Sequence, residues 1–334
     1  MLDPRIGGRQ LYRDALGQAL AAERLGYRGV GIPEHHLGNL LLIPSPLQMA
    51  VKVAAHTTRL KLVTSVCQLP LRDMRIFAGE VIQAQALCEG RLMLGVGKGA
   101  FAFETALMGV PFEQTKPRFE ESLPLLEALL TREEVSWNSD RYRFERLTIM
   151  PRPEDPIPLM VAVMNPAGIE AAAKAGYHVQ TTPLGGSHEQ LLGQVEAFRR
   201  GRAAAGRPLD TRLGLQRGVY LVRDERERRH IAERAQAYYS CFDNVFGGPG
   251  LLDRGMVRPL PRKQSVEELA SNLLLCGRDE MIDRLGEYAT LGIDEVITTS
   301  NFGQEEARTL DMMERFAAEV MPHFRTQPVP ANGG

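Results

Sequence analysis

The sequence is poor in several features that mark other classes of protein. Its 334 residues include one tryptophan and four cysteines, which lie far apart and form no CxxC pair (Cys67, Cys88, Cys241 and Cys276). This disfavours a zinc ribbon or a redox dithiol and favours reduced thiols in a cytoplasmic protein. The longest apolar runs, such as Leu40–Ile43, fall far short of the roughly 18 residues that span a bilayer. The first residues show no n-region, h-region and cleavage site, so we expect no secretion.

Neither sign of charge dominates. The 40 lysine and arginine residues nearly cancel the 41 aspartate and glutamate residues, so the formal net charge is -1. Nucleic-acid-binding proteins usually carry a basic excess or patch, so we expect no nucleic-acid partner. Because the apolar runs are short, we expect no membrane partner either. With 44% hydrophobic and 24% charged residues, the composition is that of an ordinary globular protein that buries a sizeable core.

Short apolar strands alternate with longer helices along most of the chain, which is typical of βα units around a parallel sheet. The pattern predicts seven strands, at 29–32, 60–66, 91–96, 159–163, 177–181, 213–222 and 295–300. It predicts helices that include 11–26, 74–89, 117–130, 224–239 and 265–275. No strand precedes the first helix. Two architectures stay open: a doubly wound sheet, or an eight-stranded (β/α) barrel without its first strand.

Two stretches interrupt the alternation within a single predicted domain, 1–334. Residues 131–158 alternate like a hairpin around Val135–Trp137 and Tyr142–Phe144 and then return through several prolines, so we predict an insertion. Residues 241–264 are rich in glycine and proline, and so long a loop in a compact domain is usually a lid or disordered. We predict that both stretches lie near the C-terminal mouth of the strands.

Glu34, His35 and His36 directly follow the first predicted strand. In a (β/α) barrel the carboxyl ends of the strands carry the chemistry, and two imidazoles beside a carboxylate suit proton transfer near neutral pH. Two partly exposed histidines at a strand end are an equally good interpretation. Metal binding is a third, but no further ligand is evident nearby, and we predict no metal site.

The glycine-rich segment Gly95–Gly99, which contains Lys98, follows the strand at 91–96. Glycines let backbone N–H groups approach a phosphate, and a lysine supplies charge. The spacing fits neither a dinucleotide-binding fingerprint nor a P-loop, and we expect no helix to begin there. A plain glycine turn explains the segment as well.

Two other strand ends are weaker candidates. Asn165 and Pro166 are a good N-cap and first residue for a helix whose N-terminus attracts anions, although a capped helix without a ligand is more common. Ser65 and Val66 are small enough to let a flat ring approach, although ordinary core packing explains them more simply.

Taken in order, these segments resemble the bacterial luciferase-like monooxygenase family. The resemblance runs from about residue 12 to 322 and rests on segments 22–36, 44–46, 59–62, 69–71, 89–99, 276–280, 291–295 and 316–322. It implies an α/β fold, a TIM (β/α)8 barrel of the luciferase-like type. Because family members begin with a β strand, it also implies that this chain lacks its first β strand.

The resemblance implies flavin-dependent monooxygenation of a small organic substrate. Reduced FMN (FMNH2) would come from a separate flavin reductase and react with O2, with His35 as general base and Glu34 orienting a neighbouring imidazole such as that of His36. Related barrels use F420 for hydride transfer, and others bind flavin without catalysis, so both readings stay open. A homodimer is also common among such proteins.

The resemblance also assigns residues to the cofactor: Ser65, Val66, Gly97, Lys98, Gly99, Asn165 and Gly168. Lys98 stands where the family usually has an arginine on the flavin phosphate, so the charge is kept but the planar fork is lost. Asn165 and Gly168 stand where luciferases have hydroxyl residues. Ser65–Val66 matches a pair often joined by a cis peptide beneath the flavin ring.

Overall fold

The computed structural model describes residues 7–206, 208 and 210–324. Its helices are α1 (Gly8–Leu25), α2 (Pro46–Ala54), α3 (Met74–Leu87), α4 (Ala102–Leu107), α5 (Phe112–Thr131), α6 (Pro166–Ala175), α7 (His188–Ala204), α8 (Glu225–Val245), α9 (Val266–Asn272), α10 (Arg278–Thr290) and α11 (Glu306–Glu319). Short 3-10 turns occur at Leu69–Leu71 and Met321–His323. Within this part of the chain, no helix combines the length and the apolar character that crossing a membrane requires.

The strands are β1 (Gly29–Ile32), β2 (Lys61–Thr64), β3 (Cys67–Gln68), β4 (Leu92–Gly97), β5 (Val135–Asn138), β6 (Arg143–Leu147), β7 (Leu159–Ala162), β8 (His178–Thr181), β9 (Leu213–Leu221), β10 (Leu252–Asp253), β11 (Met256–Val257), β12 (Leu274–Cys276) and β13 (Glu295–Thr299). The main sheet is parallel, in the order β1-β2-β4-β7-β8-β9, and β3 pairs with β4. Helices cover its outer face, so its strands are near-continuous apolar runs.

The sheet curls into a half-barrel. Among the described residues β1 pairs only with β2, and β13 pairs only with β9. The curl nevertheless brings the two edges close, because a Cβ built on Gly31 of β1 would lie 3.6 Å from Ile297 of β13. The predicted (β/α) barrel is thus present as a curled parallel sheet. The predicted lack of a first strand stays a prediction, because residues 1–6 lie outside the described residues.

Strand β9 is the branching point of the sheet. Residues 213–215 pair with β8 and 214–218 pair with β13, whereas the last three residues pair with β12. The sequence pattern was wrong about β12, because residues 265–275 were predicted to be one helix. The helix ends at Asn272, and the three-residue strand that follows is completely buried against β9.

Other differences concern short segments. A six-residue helix, α4, begins just after the glycine segment, where no helix was expected, and α5 begins at Phe112 rather than at residue 117. Helix α8 continues to Val245, so the first residues of the predicted loop 241–264 are helical. The hairpin predicted within 131–158 is present as β5 and β6. Whether either segment acts as an insertion or a lid stays a prediction.

Glu23 of α1 ties that helix to the start of β2. Its carboxylate accepts hydrogen bonds from the backbone N–H groups of Thr58, Arg59 and Leu60, at 2.8 to 3.1 Å, and from the Thr58 hydroxyl. Desolvation alone would raise the pKa of Glu23, but these four donors lower it to about 2. The carboxylate is therefore ionised at any pH at which the protein is handled.

We expect Glu23→Gln to lower the free energy of unfolding at pH 7 by about 1 kcal/mol, a modest value because the group is only partly buried. The native pKa lies below the unfolded one, so this contribution is complete above about pH 4.3 and fades as the pH falls towards 2. Urea unfolding at pH 7 and pH 3 measures it, with exposed Glu145→Gln as control. An equal loss at both pH values would contradict this account.

Candidate active site

A cavity of about 1690 Å³ lies inside the curl of the sheet and extends to the carboxyl ends of its strands. Small-molecule sites are usually about 300–1,000 Å³, so there is room for a large cofactor together with a substrate. The cavity brings together the sequence-predicted residues Glu34, His35, Ser65, Val66, Gly97, Lys98, Gly99, Asn165 and Gly168. His36 is not among its lining residues.

Glu34 is buried at the end of β1 and works as an acceptor. Its carboxylate pairs with both terminal nitrogens of Arg72, each at 2.8 Å, and accepts from the backbone N–H of Gln68 at 3.1 Å. The Nε2 of His36 lies 2.9 Å from the same carboxylate. The contact with Glu34 therefore holds the His36 ring away from the cavity. The guanidinium of Arg72 compensates the buried charge of Glu34.

His35 faces the cavity and has a buried acidic partner, Glu104. Its Nδ1 lies 3.3 Å from Oε2 of Glu104, and its ring stacks on Phe101 with 4.1 Å between centroids. Glu104 also accepts from the backbone N–H of His36 and from Nε2 of Gln68. Burial alone would raise the pKa of Glu104, but these partners, His35 first, lower it.

Glu104 was missed by the sequence reasoning, as were Arg72 and Gln68. Glu104 lies in the first turn of α4, the helix that was not expected. One signal was available: an acidic residue in the otherwise uncharged segment Phe101–Leu107, directly after the glycine segment. Arg72 had a similar signal, because it follows a buried strand and turn in which no other charge occurs.

The backbone between β2 and β3 takes an unusual course. The peptide bond between Ser65 and Val66 is cis, as the family resemblance implies. Two glycines of β4 allow the close approach here: a Cβ on Gly95 would lie 1.9 Å from the Thr64 carbonyl oxygen, and one on Gly97 would lie 2.7 Å from Cγ2 of Val66. The result is a flat, side-chain-poor patch on the cavity wall.

A chain of polar side chains extends from this patch across the inside of the sheet. The Ser65 hydroxyl and the Gln180 amide lie within 3.0 Å, Nε2 of Gln180 donates to Oε1 of Gln216 at 3.2 Å, and Nε2 of Gln216 donates to the Thr299 hydroxyl at 3.2 Å. Amides offer both donors and acceptors, so this row suits the polar edge of a planar ring.

Lys98 follows β4 at the cavity rim. Its Nζ lies 4.6 Å from the centre of the Phe112 ring, and burial, with the charge of Lys116 second, lowers its pKa. Lys116 lines the same cavity and lies 3.5 Å from Glu120. Gly99 has φ +84°, and a Cβ there would lie 2.6 Å from Oε1 of Gln68. Glycine thus fits this turn, and the rim carries two lysines.

Asn165 caps α6, as its position before Pro166 predicted. Its Oδ1 accepts the backbone N–H of Gly168 at 2.8 Å. A Cβ on Gly168 would lie 2.6 Å from Cγ2 of Val163, so glycine is needed for this packing. The Gly168 N–H is therefore engaged by the cap and is not free to hold an anion.

At the strand ends of the curled parallel sheet, one cavity is faced by His35 with its carboxylate partner and by two lysines, and this is where (β/α) enzymes carry their active sites. A family model described as luciferase-like monooxygenase matches residues 2–295. The chain belongs to this family.

The relatives include a protein named for a flavin and proteins named for F420. The chain is 26% identical over 335 residues to the oxygenase component of a flavin-dependent trigonelline monooxygenase from Acinetobacter baylyi, covering 96% of this chain and 92% of the relative. It is 28% identical over 331 residues to an F420-dependent glucose-6-phosphate dehydrogenase from Beutenbergia cavernae, covering 94% of each. In fold it is similar to the monooxygenase RslO1 from Streptomyces bottropensis, with a TM-score of 0.80 and 24% sequence identity. The match covers 96% of this chain and 95% of that structure.

Proposed function

We propose that this chain is the oxygenase of a two-component, FMN-dependent monooxygenase that acts on a small organic substrate. The observation that carries the proposal is the position of His35, which is backed by the buried carboxylate of Glu104 and faces the same cavity as the Ser65–Val66 cis peptide and Lys98. When bound, FMN reduced by a separate reductase supplies the electrons that activate O2.

The cavity residues fit such a cofactor. The patch around Ser65 and Gly97 offers a flat surface, and Gly31 adds to it because a Cβ there would lie 3.5 Å from Cβ of Ser65. The amides of Gln180 and Gln216 lie beside this patch and suit the polar edge of the flavin ring. Lys98 supplies charge for the phosphate.

His35 would hold and move the proton at its Nε2, because Nδ1 is directed to Glu104. A carboxylate beside one ring nitrogen fixes the tautomer and favours the charged imidazolium that forms when Nε2 takes a proton. Phe101 stacked on the ring restricts its rotation and keeps water from one face. These contacts suit general acid–base catalysis, which contributes about 10²- to 10⁴-fold in rate.

F420-dependent hydride transfer is the second candidate, because the F420-dependent glucose-6-phosphate dehydrogenase is similar over nearly the whole chain. Anaerobic titration with FMN, reduced FMN and F420 separates the candidates. Selective binding of reduced FMN, followed by reductase-dependent O2 consumption, supports the monooxygenase. Selective binding of F420 supports hydride transfer, and flavin binding without O2 consumption supports a non-catalytic flavin-binding protein.

Lys98→Ala tests how the cofactor phosphate is held. We expect the variant to bind FMN about 10-fold more weakly, because a hydrogen bond to a charged group is worth about 1.5–3 kcal/mol. Binding of riboflavin, which has no phosphate, should be unchanged. Lys52→Ala on the exposed face of α2 is the control. Equal weakening for both flavins would mean that Lys98 acts on the shape of the rim rather than on the phosphate.

A further inference from the structure

Arg217 on β9 is a buried charge without a counter-ion in the part of the chain that is described. It is 2% exposed, and no carboxylate lies within ion-pair distance of its guanidinium. Two of its N–H groups donate to the backbone carbonyls of Leu184 and Asn272, whereas its buried Nε has no hydrogen-bond partner. A buried charge is costly unless it is paired, so this arrangement calls for a ligand.

Arg217 lines the cavity, and so does Tyr239, on which the charge of Arg217 acts. The hydroxyl of Tyr239 accepts and donates no hydrogen bond within the described residues, and it lies 3.2 Å from where a Cβ on the adjacent Gly218 would be. Burial raises the pKa of Tyr239 to about 12, although Arg217 and Arg262 oppose the shift. The hydroxyl therefore stays protonated and can donate.

The acidic side chains that line the cavity are already engaged. Glu34 pairs with Arg72, Glu120 with Lys116, and Glu295 with Arg28 and Arg212. Asp294 accepts from the backbone N–H of Leu213. None of these carboxylates is therefore free to pair with Arg217, and a bound anion would supply the missing counter-ion. A single guanidinium is neutralised by a monoanion such as a carboxylate, whereas a phosphate dianion would leave excess negative charge buried.

Aromatic rings form the wall between this donor pair and His35. Tyr238 and Phe242 lie 4.9 Å apart between centroids, Phe242 and Phe101 lie 6.0 Å apart, and Phe101 stacks on His35. Tyr238, Phe242 and Phe101 all line the cavity. Such a wall favours planar aromatic ligands, which pack well by stacked or edge-to-face contacts.

We propose that Arg217 and the Tyr239 hydroxyl bind the carboxylate of a planar aromatic substrate, whose ring lies along the wall that leads to His35. This deepens the proposed function and rests on it, because it names the chemical class that the oxygenase would accept. It also gives Arg217 a role separate from the cofactor phosphate, which is assigned to Lys98.

The test is isothermal titration calorimetry of the purified full chain with two probes of one shape, benzoate and benzamide. We expect the wild type to bind benzoate at least about 10-fold more tightly than benzamide, as for a hydrogen bond to a charged group. Arg217→Gln should remove this preference and leave benzamide binding unchanged. Tyr239→Phe, which removes only one hydroxyl, should weaken benzoate binding about 3- to 10-fold and provides a test if the first variant does not fold.

Arg91→Gln is the matched control, because Arg91 is another buried arginine that donates to backbone carbonyls but does not line the cavity. It should keep the preference for benzoate. The proposal is overturned by equal binding of the two probes, by no binding of either with or without FMN, or by an unchanged preference in both variants.

Two results distinguish this inference from the proposed function. A protein that consumes O2 with reduced FMN but does not distinguish benzoate from benzamide contradicts only the carboxylate site. A protein that prefers benzoate but binds no flavin contradicts only the oxygenase. If Arg217→Gln weakens FMN but not riboflavin, the guanidinium serves the cofactor phosphate and the carboxylate site is overturned.

Discussion

Replacing His35 with alanine should reduce reductase-coupled oxygenation by at least about 100-fold, the lower range for loss of a general acid–base group. The affinity for FMN should change little, because the patch around Ser65 and Gly97 and the charge of Lys98 are unchanged in this variant. Product formation by chromatography and FMN binding by fluorescence measure the two effects. Added imidazole should restore part of the activity, because the deleted ring leaves a space beside Phe101.

The control is His230→Ala, which removes an exposed imidazole of α8. Turnover in His35→Ala equal to that of the wild type would sink the role assigned to this histidine. A joint loss of activity and FMN affinity would instead make His35 part of the cofactor site.

Glu104→Gln should be the second large effect, although the substitution keeps the shape of the side chain. The amide has two possible orientations. In one, its NH2 faces the His36 N–H, and in the other it faces the NH2 of Gln68. Either orientation therefore places two hydrogen-bond donors against each other in a buried site. The cost is about 1–3 kcal/mol of stability, and the His35 imidazolium loses its anionic partner.

We expect a fall in kcat of about 10-fold or more, together with a changed pH profile of kcat that a purely structural defect would not produce. Stability against acid gives a second readout. The pKa of Glu104 is lowered in the folded state, so its contribution is complete above about pH 4.3 and is lost as the pH falls through the native value. Glu104→Gln should therefore lose less stability on acidification than the wild type.

Glu113→Gln is the matched control, because Glu113 also lies in the first turn of a helix, α5, but is exposed. An unaltered pH profile of kcat in Glu104→Gln, even with reduced stability, would mean that Glu104 has only a structural role. In that case His35 would act without an oriented tautomer.

The order of strands and helices was predictable because the hydrophobic period of most elements agrees with the glycine, proline and capping residues at their ends. Gly26 closes α1 with φ +80° at the end of the predicted helix 11–26, and Asn165 caps α6 with its side chain, as its position before Pro166 predicted. β12 was not predicted because three residues are too few to show a hydrophobic period. α4 was not predicted because its six residues begin without a side-chain cap. Local signals of this kind decide the boundaries of short elements poorly.

The candidate site was predictable only where its residues follow strands. His35 and Lys98 were predicted in this way and both line the cavity, but Glu104 lies 69 residues from His35 in sequence, and the curl of the sheet brings these two together. Arg217 had a local signal that was not used: it is the one charged residue in the otherwise uncharged buried segment Leu213–Val222. What such a charge pairs with depends on tertiary packing, which a single sequence does not supply.

The short connection from β4 into α4 carries Lys98 at one end and Glu104 at the other. Gln68 fastens it, because Nε2 of Gln68 donates to Glu104 and Oε1 of Gln68 packs against Gly99. In the proposed function, an anion held by Lys98 and a proton held by His35 would therefore act on the same connection, the proton through Glu104. Thermodynamic linkage makes their influence reciprocal: the factor by which the anion changes the proton affinity equals the factor by which the proton changes the anion affinity.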